Sequence, residues 1–304
     1  MTQKVNILLS TYNGERFLVK QLDSILSQTY KNIVIHVRDD GSSDKTKEIL
    51  LNYALKYPKY FKVDFGNNLG VIKSFFELIC NSDKTCDYFA LCDQDDVWKK
   101  DKISNAIAAI KDYSLYPAMY CSNYTLVDEN SNIIRYKKRN VVKPSFCNAL
   151  VENIATGCTI VVNKHARELI IKRVPKKALM HDWWFYLVVS AFGTIIYDSD
   201  ESMFYRQHSS NVVGVKSNLL DKWISRVKRF KARQGMPYVT EQAEEFRIIF
   251  GDLLSLRKKE VLDRFLDERI SFWGRLVYAV KSESYRQTFI DNIIFKILII
   301  LNCI

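Results

Sequence analysis

Three carboxylates stand within four positions in the N-terminal half of this 304-residue chain. Asp93, Asp95 and Asp96 follow directly after residues 88–92, an apolar run that predicts a short buried strand. Carboxylates crowded at a strand end repel one another at neutral pH, and a bound cation would offset that repulsion. Carboxylate oxygens suit Mg²⁺ or Mn²⁺, and Mg²⁺ commonly shares them with substrate phosphates. The pattern favours a cation holding a diphosphate, but taken alone it equally fits a polar loop that caps the next helix.

Strand-like and helix-like patterns alternate four times within the first 115 residues. We predict strands at 5–9, 33–37, 61–65 and 88–92, and helices at 15–28, after residue 44, at 71–80 and at about 99–113. The helices have apolar side chains at helical spacing, as at Leu18, Leu22 and Ile25. Alternation of this kind predicts an α/β fold in which helices flank a mainly parallel central sheet.

Polar segments follow the predicted strands at 10–14, 39–44, 67–70 and 93–96. In open α/β sheets, ligands bind outside the carboxyl ends of the strands, so these segments should converge on one edge. The chain has no GxGxxG after the first strand and no GxxxxGK[ST] anywhere. A dinucleotide-type site or a P-loop is therefore not expected, and a nucleotide must be held in another way.

The segments LLSTYNG, RDDGSSDKT, NNLG and CDQDDVW occur in this order, and together they resemble the family 2 glycosyltransferases of the GT-A fold. The resemblance extends over about the first 215 residues. In that family, the turn after the first strand and the acidic end of the second strand hold the nucleotide base. The resemblance therefore implies that Ser10, Thr11, Tyr12 and Asp40 bind a nucleotide-sugar donor.

The DxD motif of the family falls on Asp93 and Asp95. The resemblance implies that Asp93 faces the ribose side of the donor and that Asp95 reaches a metal ion. The implied cofactor is a divalent cation, Mg²⁺ or Mn²⁺. Asp96 departs from the motif as a third carboxylate, which leaves open which pair of carboxylates binds.

The acceptor half is expected at 116–215, after a nucleotide-sugar half at 1–115. Its predicted strands are 118–121, 124–127, 157–162 and 195–197. Asp182 lies where an apolar helix begins, and Asp caps helices well, so a purely structural role is open. In the family, this Asp is the general base that deprotonates the acceptor hydroxyl. The resemblance implies that role for Asp182, whereas His181 stands where Glu is commoner.

Tyr205-Arg206-Gln207-His208 matches a Tyr-Arg-x-His segment of the family. The resemblance implies that His208 contacts the metal or the diphosphate and that Arg206 contacts the substrate, although a structural role for Arg206 fits equally. Imidazole is an acceptable ligand for Mn²⁺ and a poorer one for Mg²⁺.

The segments DQDDVW and YRQHSSNVVG resemble the rhamnosyltransferase-like subset, which uses dTDP-rhamnose. An inverting transfer of rhamnose to a hydroxyl of a growing cell-surface polysaccharide is the leading expectation. A UDP-sugar-dependent transferase of the same fold is the alternative, since no residue by itself selects rhamnose. A catalytically degenerate nucleotide-sugar-binding scaffold is the non-enzyme alternative.

The chain changes character after about residue 215, and a helical tail is expected at 216–304. Seven basic residues and one acidic residue lie within 216–233, between apolar residues at helical spacing. A basic amphipathic helix is typical of binding to an anionic membrane surface, although a helix packed on the catalytic domain has the same pattern. The apolar segment 293–301 is too short to span a bilayer.

The net charge of +11 predicts an anionic partner. No nucleic-acid-binding motif is present, so nucleic acid is not expected to be that partner. The apolar run in the N-terminal segment is too short for a signal peptide. The seven cysteines lack CxxC spacing. We therefore expect a cytoplasmic enzyme on the inner face of the cell membrane, with a lipid-linked acceptor.

Overall fold

The computed structural model describes residues 3–135, 143–208 and 238–303. The chain divides into two compact units. The first unit comprises Met1–Pro144, Asn153–Val174 and Met180–Arg206, and the second comprises Ser145–Glu152, Pro175–Leu179 and Gln207–Ile304. The expected boundary at residue 215 and the basic segment 216–233 lie outside the described residues.

The described part of the first unit contains one mixed sheet. Its strands are β1 (Val5–Thr11), β2 (Ile33–Asp39), β3 (Phe61–Phe65), β4 (Tyr88–Cys92), β5 (Val97–Trp98), β6 (Ala118–Val127), β7 (Ile133–Arg135), β8 (Val161–Asn163) and β9 (Thr194–Arg206). The order is β3-β2-β1-β4-β8-β6-β9-β5, and β7 pairs with β6. Strands β1 to β4 run parallel, as does β6 with β9, whereas β8 is antiparallel to β4 and to β6. This arrangement confirms the predicted α/β fold with a mainly parallel sheet.

Helices flank this sheet and also build the second unit. Those of the first unit are α1 (Leu18–Leu26), α2 (Thr46–Lys56), α3 (Val71–Cys80), α4 (Lys102–Ile110), α6 (Lys164–Ile171) and α7 (His181–Phe192). Those of the second unit are α5 (Phe146–Ala149), α8 (Tyr238–Phe250), α9 (Leu256–Asp267), α10 (Phe272–Lys281) and α11 (Phe289–Ile300). None of the helices in the described ranges is long and apolar enough to cross a membrane.

The central strands are apolar because helices cover both faces of the sheet, as is usual for parallel strands. In β1, Val5, Ile7, Leu8 and Leu9 are all buried. Helix α1 buries its apolar stripe, including Leu22, in the same core as the odd-numbered residues of β1.

Strand β9 is thirteen residues long, so the prediction of a strand only at 195–197 was too short. Its pairing with β6 shifts register between Ser122 and Asn123, whose partners are Asp198 and Glu201. The extra residues form an irregularity that interrupts the apolar pattern without ending the strand. The extension matters for the site, because Val97 of β5 pairs with Phe204 of β9 and thereby anchors the far end of the acidic loop.

Two other local predictions were wrong in detail. Residues 118–127 form one continuous strand rather than two, and Gly157–Thr159 is a 3₁₀ turn that precedes the short strand β8. The 3₁₀ turn lies next to β4 and brings Cys158 into the buried core.

Candidate active site

The acidic loop 93–96 connects β4 to β5 and carries the carboxylates at the edge of the sheet. Asp96 is fully buried and Asp93 is half-buried. One carboxylate oxygen from each of them and the Sγ of Cys158 lie within 4.8 Å of one another. The structure therefore brings Asp93 close to Asp96, the third carboxylate, which is not part of the DxD motif.

These carboxylates oppose one another's ionisation. Burial raises the pKa of Asp93 to about 7, and the charges of Asp95 and Asp182 add to the effect. Burial also raises the pKa of Asp96 well above its usual range, with repulsion from Asp95 and Asp93. A divalent cation fits this cluster, because it would supply the positive charge that ionised, buried carboxylates require. The Cys158 thiol is a softer group whose pKa is also raised well above its usual range by burial, so it remains a thiol beside the carboxylates.

Lys102 is a buried basic residue near this cluster that the sequence analysis missed. Its Nζ lies 4.7 Å from the centre of the Trp98 ring. Burial lowers the pKa of Lys102 to about 8, and the charge of Asp96 opposes this shift. The sequence pattern could have predicted its burial, because Lys102 lies on the same face of α4 as Ile103, Ala106 and other apolar residues.

Arg206, at the end of β9, holds the acidic loop by hydrogen bonds. Its side chain is fully buried, and its Nε donates to the Asp95 carbonyl at 2.8 Å. Its Nη1 donates to the Glu129 carbonyl at 2.8 Å, and its backbone N–H donates to Asp96 Oδ1 at 3.0 Å. The guanidinium also lies 4.7 Å from the centre of the Phe17 ring. The Nε and Nη1 of Arg206 thus donate to backbone carbonyls of the protein itself, so Arg206 joins the acidic loop to the loop at 128–131.

Asp182 lies in the first turn of α7, whose N-cap position is Met180, so the expectation that Asp182 is the N-cap was wrong. Its Oδ1 accepts a hydrogen bond from the Trp183 N–H at 2.6 Å, and its Oδ2 accepts one from the Gly157 N–H at 3.1 Å. Burial raises the pKa of Asp182 to about 6, while these hydrogen bonds and one from Asn153 oppose the rise. A carboxylate with a pKa in this range is suited to general base chemistry near neutral pH.

His181 is buried beside Asp182 and was not identified as a site residue. Its ring stacks on Phe75, with 4.0 Å between centroids and 19° between the planes. Burial lowers the pKa of His181 to about 3, so the ring is neutral at physiological pH. A Cβ placed on Gly157 would lie 3.1 Å from His181 Nε2 and 3.5 Å from Asp182 Cβ. The first of these distances is tight and the second is an ordinary contact, so the absence of a side chain at Gly157 leaves room for the His181 ring.

Tyr12 lies beside the acidic loop through a pair of hydrogen bonds to Gln94. The Tyr12 N–H donates to Gln94 Oε1 at 2.8 Å, and Gln94 Nε2 donates to the Tyr12 carbonyl at 2.9 Å. A Cβ on Gly14 would come within 2.2 Å of Gln94 Oε1, so this close approach requires glycine. Gln94, the middle residue of the DxD motif, thus connects the acidic loop to the turn after β1. The sequence analysis did not identify this role.

The remaining predicted donor residues lie at the ends of β1 and β2 in a network of hydrogen bonds. Asp40 pairs with Arg38 and accepts hydrogen bonds from the Leu69 and Gly70 N–H groups at 2.8 and 2.9 Å. Asp40 therefore anchors the segment that precedes α3.

Thr11 and Ser10 are engaged in the same region. Thr11 Oγ1 donates to Asp39 Oδ1 at 3.1 Å, and the hydroxyls of Ser10 and Ser74 share a hydrogen bond of 2.7 Å. Asp39, which is fully buried, was not among the predicted site residues. His208 is half-buried and belongs to the second unit, and its contact with a metal stays a prediction.

Comparison with known proteins identifies the family. The family model described as "Glycosyl transferase family 2" matches residues 6–171, which include the whole acidic loop. The chain belongs to glycosyl transferase family 2. The predicted resemblance is confirmed, and the protein is a glycosyltransferase.

Relatives of this family 2 enzyme include a dTDP-rhamnosyl transferase, RfbG, of Shigella flexneri. It is 29% identical over an alignment covering 97% of this chain and 99% of the relative. An uncharacterized glycosyltransferase of Rickettsia typhi is 26% identical, over 72% of this chain and 69% of its own length. The first of these similarities extends through the second unit.

Solved structures establish the fold of this glycosyltransferase. The structure of S. aureus TarS in complex with UDP-GlcNAc matches with a TM-score of 0.57 and 15% identity, over 90% of this chain and 83% of the other. The mannosyltransferase PcManGT from Pyrobaculum calidifontis, in complex with GDP-Man and Mn²⁺, matches with a TM-score of 0.56 and 16% identity, over 93% of this chain and 77% of the other. The predicted GT-A-like fold is confirmed.

Proposed function

We propose that this family 2 glycosyltransferase transfers rhamnose from dTDP-rhamnose to a saccharide hydroxyl, with inversion at the anomeric carbon. The choice of rhamnose is supported by the similarity to the Shigella flexneri dTDP-rhamnosyl transferase, which covers nearly the whole of both chains. The proposed acceptor is a growing, lipid-linked cell-surface polysaccharide.

The observation that carries the proposal is the environment of Asp182, a buried carboxylate whose pKa is raised to about 6. We assign it the role of general base. As the acceptor oxygen attacks the anomeric carbon from the face opposite the diphosphate, its proton passes to the Asp182 carboxylate. The bond from the anomeric carbon to the diphosphate oxygen breaks, and the nucleoside diphosphate leaves. One displacement inverts the anomeric configuration.

Donor binding is assigned to the residues around the acidic loop. Ser10, Thr11, Tyr12 and Asp40 are proposed to hold the nucleotide base. Their side chains and backbone lie in the hydrogen-bond networks at the ends of β1 and β2. Arg206, predicted to bind substrate, is proposed to serve the donor through the backbone of the acidic loop, where its hydrogen bonds are made.

The proposed metal site consists of Asp93, Asp95 and Asp96, with His208 as a further ligand. The raised pKa values of Asp93 and Asp96 support it, because ionised carboxylates in this setting call for a cation. When bound there, Mg²⁺ or Mn²⁺ would neutralise charge on the departing diphosphate as a Lewis acid. Imidazole favours Mn²⁺ of the two.

We also propose that the enzyme works at the cytoplasmic face of the cell membrane, where a lipid-linked acceptor would be found. Support comes from the seven basic residues and one acidic residue within 216–233. Each basic residue near an anionic lipid surface contributes about 1 kcal/mol to binding.

Thermal unfolding with a panel of nucleotide sugars, with and without Mn²⁺, tests the donor. A bound ligand at about 100 times its dissociation constant stabilises a protein by about 2.7 kcal/mol. We expect a metal-dependent shift with dTDP-rhamnose that Asp95→Asn abolishes. A thermal shift with UDP-sugars but not with dTDP-rhamnose would mean that the donor sugar is not rhamnose. NMR of the product then tests the mechanism, since a retained anomeric configuration would contradict the single displacement.

Two substitutions test the assignment of roles. Asp182→Asn should keep the dTDP-rhamnose-dependent thermal shift but lose transfer, because only the base is removed. Asp95→Asn should lose both. Wild-type turnover in both variants would show that the chemistry lies elsewhere.

A further inference from the structure

Two helices of the second unit each expose a row of apolar side chains. On α10 they are Trp273, Val277 and Val280, and on α11 they are Ile290, Ile293 and Ile297. Within each helix the spacing is three or four residues, so each set forms one stripe along its helix. Trp273 is 75% exposed and Val280 is 78% exposed. We refer to these six residues as the hairpin face.

The hairpin face is distinct from the faces by which these helices are already buried. Tyr278 and Ala279 of α10 and Phe295 and Ile299 of α11 point into the protein. Near the start of α10, Arg275 Nε donates to the Ile300 carbonyl at the end of α11, at 3.2 Å. The two helices are therefore held together as an antiparallel pair.

The hairpin face has both acidic and basic neighbours. Glu283 forms an ion pair with Arg257 at 2.7 Å, and Asp291 accepts a hydrogen bond from the Thr288 hydroxyl at 2.8 Å. Lys281 and Lys296, in contrast, make no ion pair within the described part of the chain. In the sequence, the basic segment 216–233 precedes these helices. An apolar surface flanked by available cationic groups is complementary to an anionic lipid surface.

We propose that the hairpin face docks in the plane of an anionic lipid bilayer, at the boundary between headgroups and acyl chains. Helices of ten and twelve residues extend about 15 and 18 Å, which is too short for a bilayer core of about 30 Å. An exposed apolar helix surface that includes Trp, and that has lysines beside it, suits this interface. This inference rests on the membrane location in the proposed function and identifies the surface responsible.

A second copy of the chain fits the hairpin face less well. A two-fold contact sets the same patch against itself, so a patch that carries Lys281 and Lys296 would face a second patch with the same two positive charges. Lipid headgroups instead present negative charge to these lysines.

Vesicle flotation of the full-length protein tests the proposal. We expect the protein to float with vesicles that contain phosphatidylglycerol and to float less with pure phosphatidylcholine. Val280→Asn combined with Ile297→Asn should weaken flotation by roughly tenfold or more, because two apolar side chains no longer enter the interface. The matched control is Leu256→Asn, at an 89% exposed residue of α9 in the same unit, and it should float like the wild type.

A second variant tests the charge. Lys281→Gln combined with Lys296→Gln should weaken binding to phosphatidylglycerol vesicles and leave binding to phosphatidylcholine unchanged. All variants are first compared by thermal unfolding, and their dTDP-rhamnose-dependent shift should equal that of the wild type. A retained shift with lost flotation separates the docking surface from the donor site.

Three outcomes would overturn the proposal. The first is a wild-type protein that does not float. The second is a Val280→Asn/Ile297→Asn variant that floats as well as the wild type, which would assign membrane binding to another segment. The third is a wild-type dimer, seen by light scattering without lipid, that this variant dissociates. That result would identify a second copy as the occupant of the hairpin face.

Discussion

At the scale of single residues, two opposing effects determine the pKa of Asp182. Burial favours its protonated form, whereas the N–H groups of Trp183 and Gly157 favour its carboxylate. The resulting pKa of about 6 leaves the group mostly ionised at neutral pH and still able to accept a proton. The neutral ring of His181 beside it adds no charge, so the balance is set by burial and by backbone donors.

Gly157→Ala tests this arrangement. The new methyl group would lie 3.1 Å from His181 Nε2, so the ring must move by a few tenths of an ångström, whereas 3.6 Å to Asp182 Oδ2 is an ordinary contact distance. Because His181 and Asp182 are neighbours in α7, we expect the movement of the ring to displace the carboxylate. We expect kcat to fall roughly tenfold to a hundredfold, since small displacements of a catalytic group carry penalties of this size. The KM for the donor should change little, as should the thermal shift produced by dTDP-rhamnose.

Gly251→Ala is the matched control for that substitution. Its methyl group would meet only Arg247 Cγ, at an ordinary contact distance of 3.5 Å, and it lies in the second unit. Unchanged kcat in Gly157→Ala would mean that Asp182 keeps its position without the glycine, or that it is not the base.

At the scale of elements, the end of β9 organises the acidic loop. The antiparallel pairing of β5 with β9 holds one end of the loop, and the side chain and backbone of Arg206 bind residues 95 and 96 within it. The loop can therefore keep like charges close together, because its backbone is fixed from outside the cluster.

Arg206→Lys should loosen this loop while keeping a positive charge. A lysine cannot reproduce the planar set of donors that reaches three backbone carbonyls, so buried acceptors lose their partners. We expect a lower melting temperature and an Mn²⁺ affinity, measured by calorimetry, that is weaker by roughly tenfold.

The control is Arg247→Lys in the second unit, where the guanidinium pairs with Asp267 at the surface. Exposed ion pairs contribute roughly 0–1 kcal/mol, so both quantities should stay close to wild type. Equal Mn²⁺ affinity in Arg206→Lys and wild type would exclude a role for Arg206 in shaping the metal site.

At the scale of the whole molecule, the buried acids link stability to pH and to metal. The pKa of Asp93 is raised to about 7 from its ordinary value of 3.8, and that of Asp96 is raised as well. A carboxyl group whose pKa is raised by folding contributes fully to the stability of the folded state below pH 3.8, and this contribution is lost as pH rises through about 7.

Added Mn²⁺ should therefore raise the melting temperature more at pH 8 than at pH 5. At pH 8 the carboxylates are ionised and ready to bind, whereas at pH 5 protons compete with the cation. Thermal unfolding in matched buffers, with EDTA as the metal-free reference, measures the difference. An equal shift at both pH values would contradict a site built on Asp93 and Asp96, and Asp95→Asn should reduce the shift at pH 8.

Much of the first unit was predictable from the sequence because its signals are local. Strands β1 to β4 correspond to short apolar runs in the sequence, and helices α1 to α4 correspond to apolar residues at helical spacing. The acidic loop follows directly after β4. The alternation of these patterns implies a parallel sheet, and a parallel sheet gathers its strand ends at one edge. The family and the fold could therefore be inferred without coordinates.

Tertiary structure alone decided which distant residues meet at that edge. Gly157 donates to Asp182 across 25 positions, and Arg206 binds Asp96 across 110. Cys158 joins the carboxylates because residues 157–159 form a 3₁₀ turn beside β4 instead of the first part of the predicted strand. Short-range periodicity records which face of an element is buried but not what it is buried against. The partners of the acidic loop, and the pKa values that result from them, therefore depend on the folded chain.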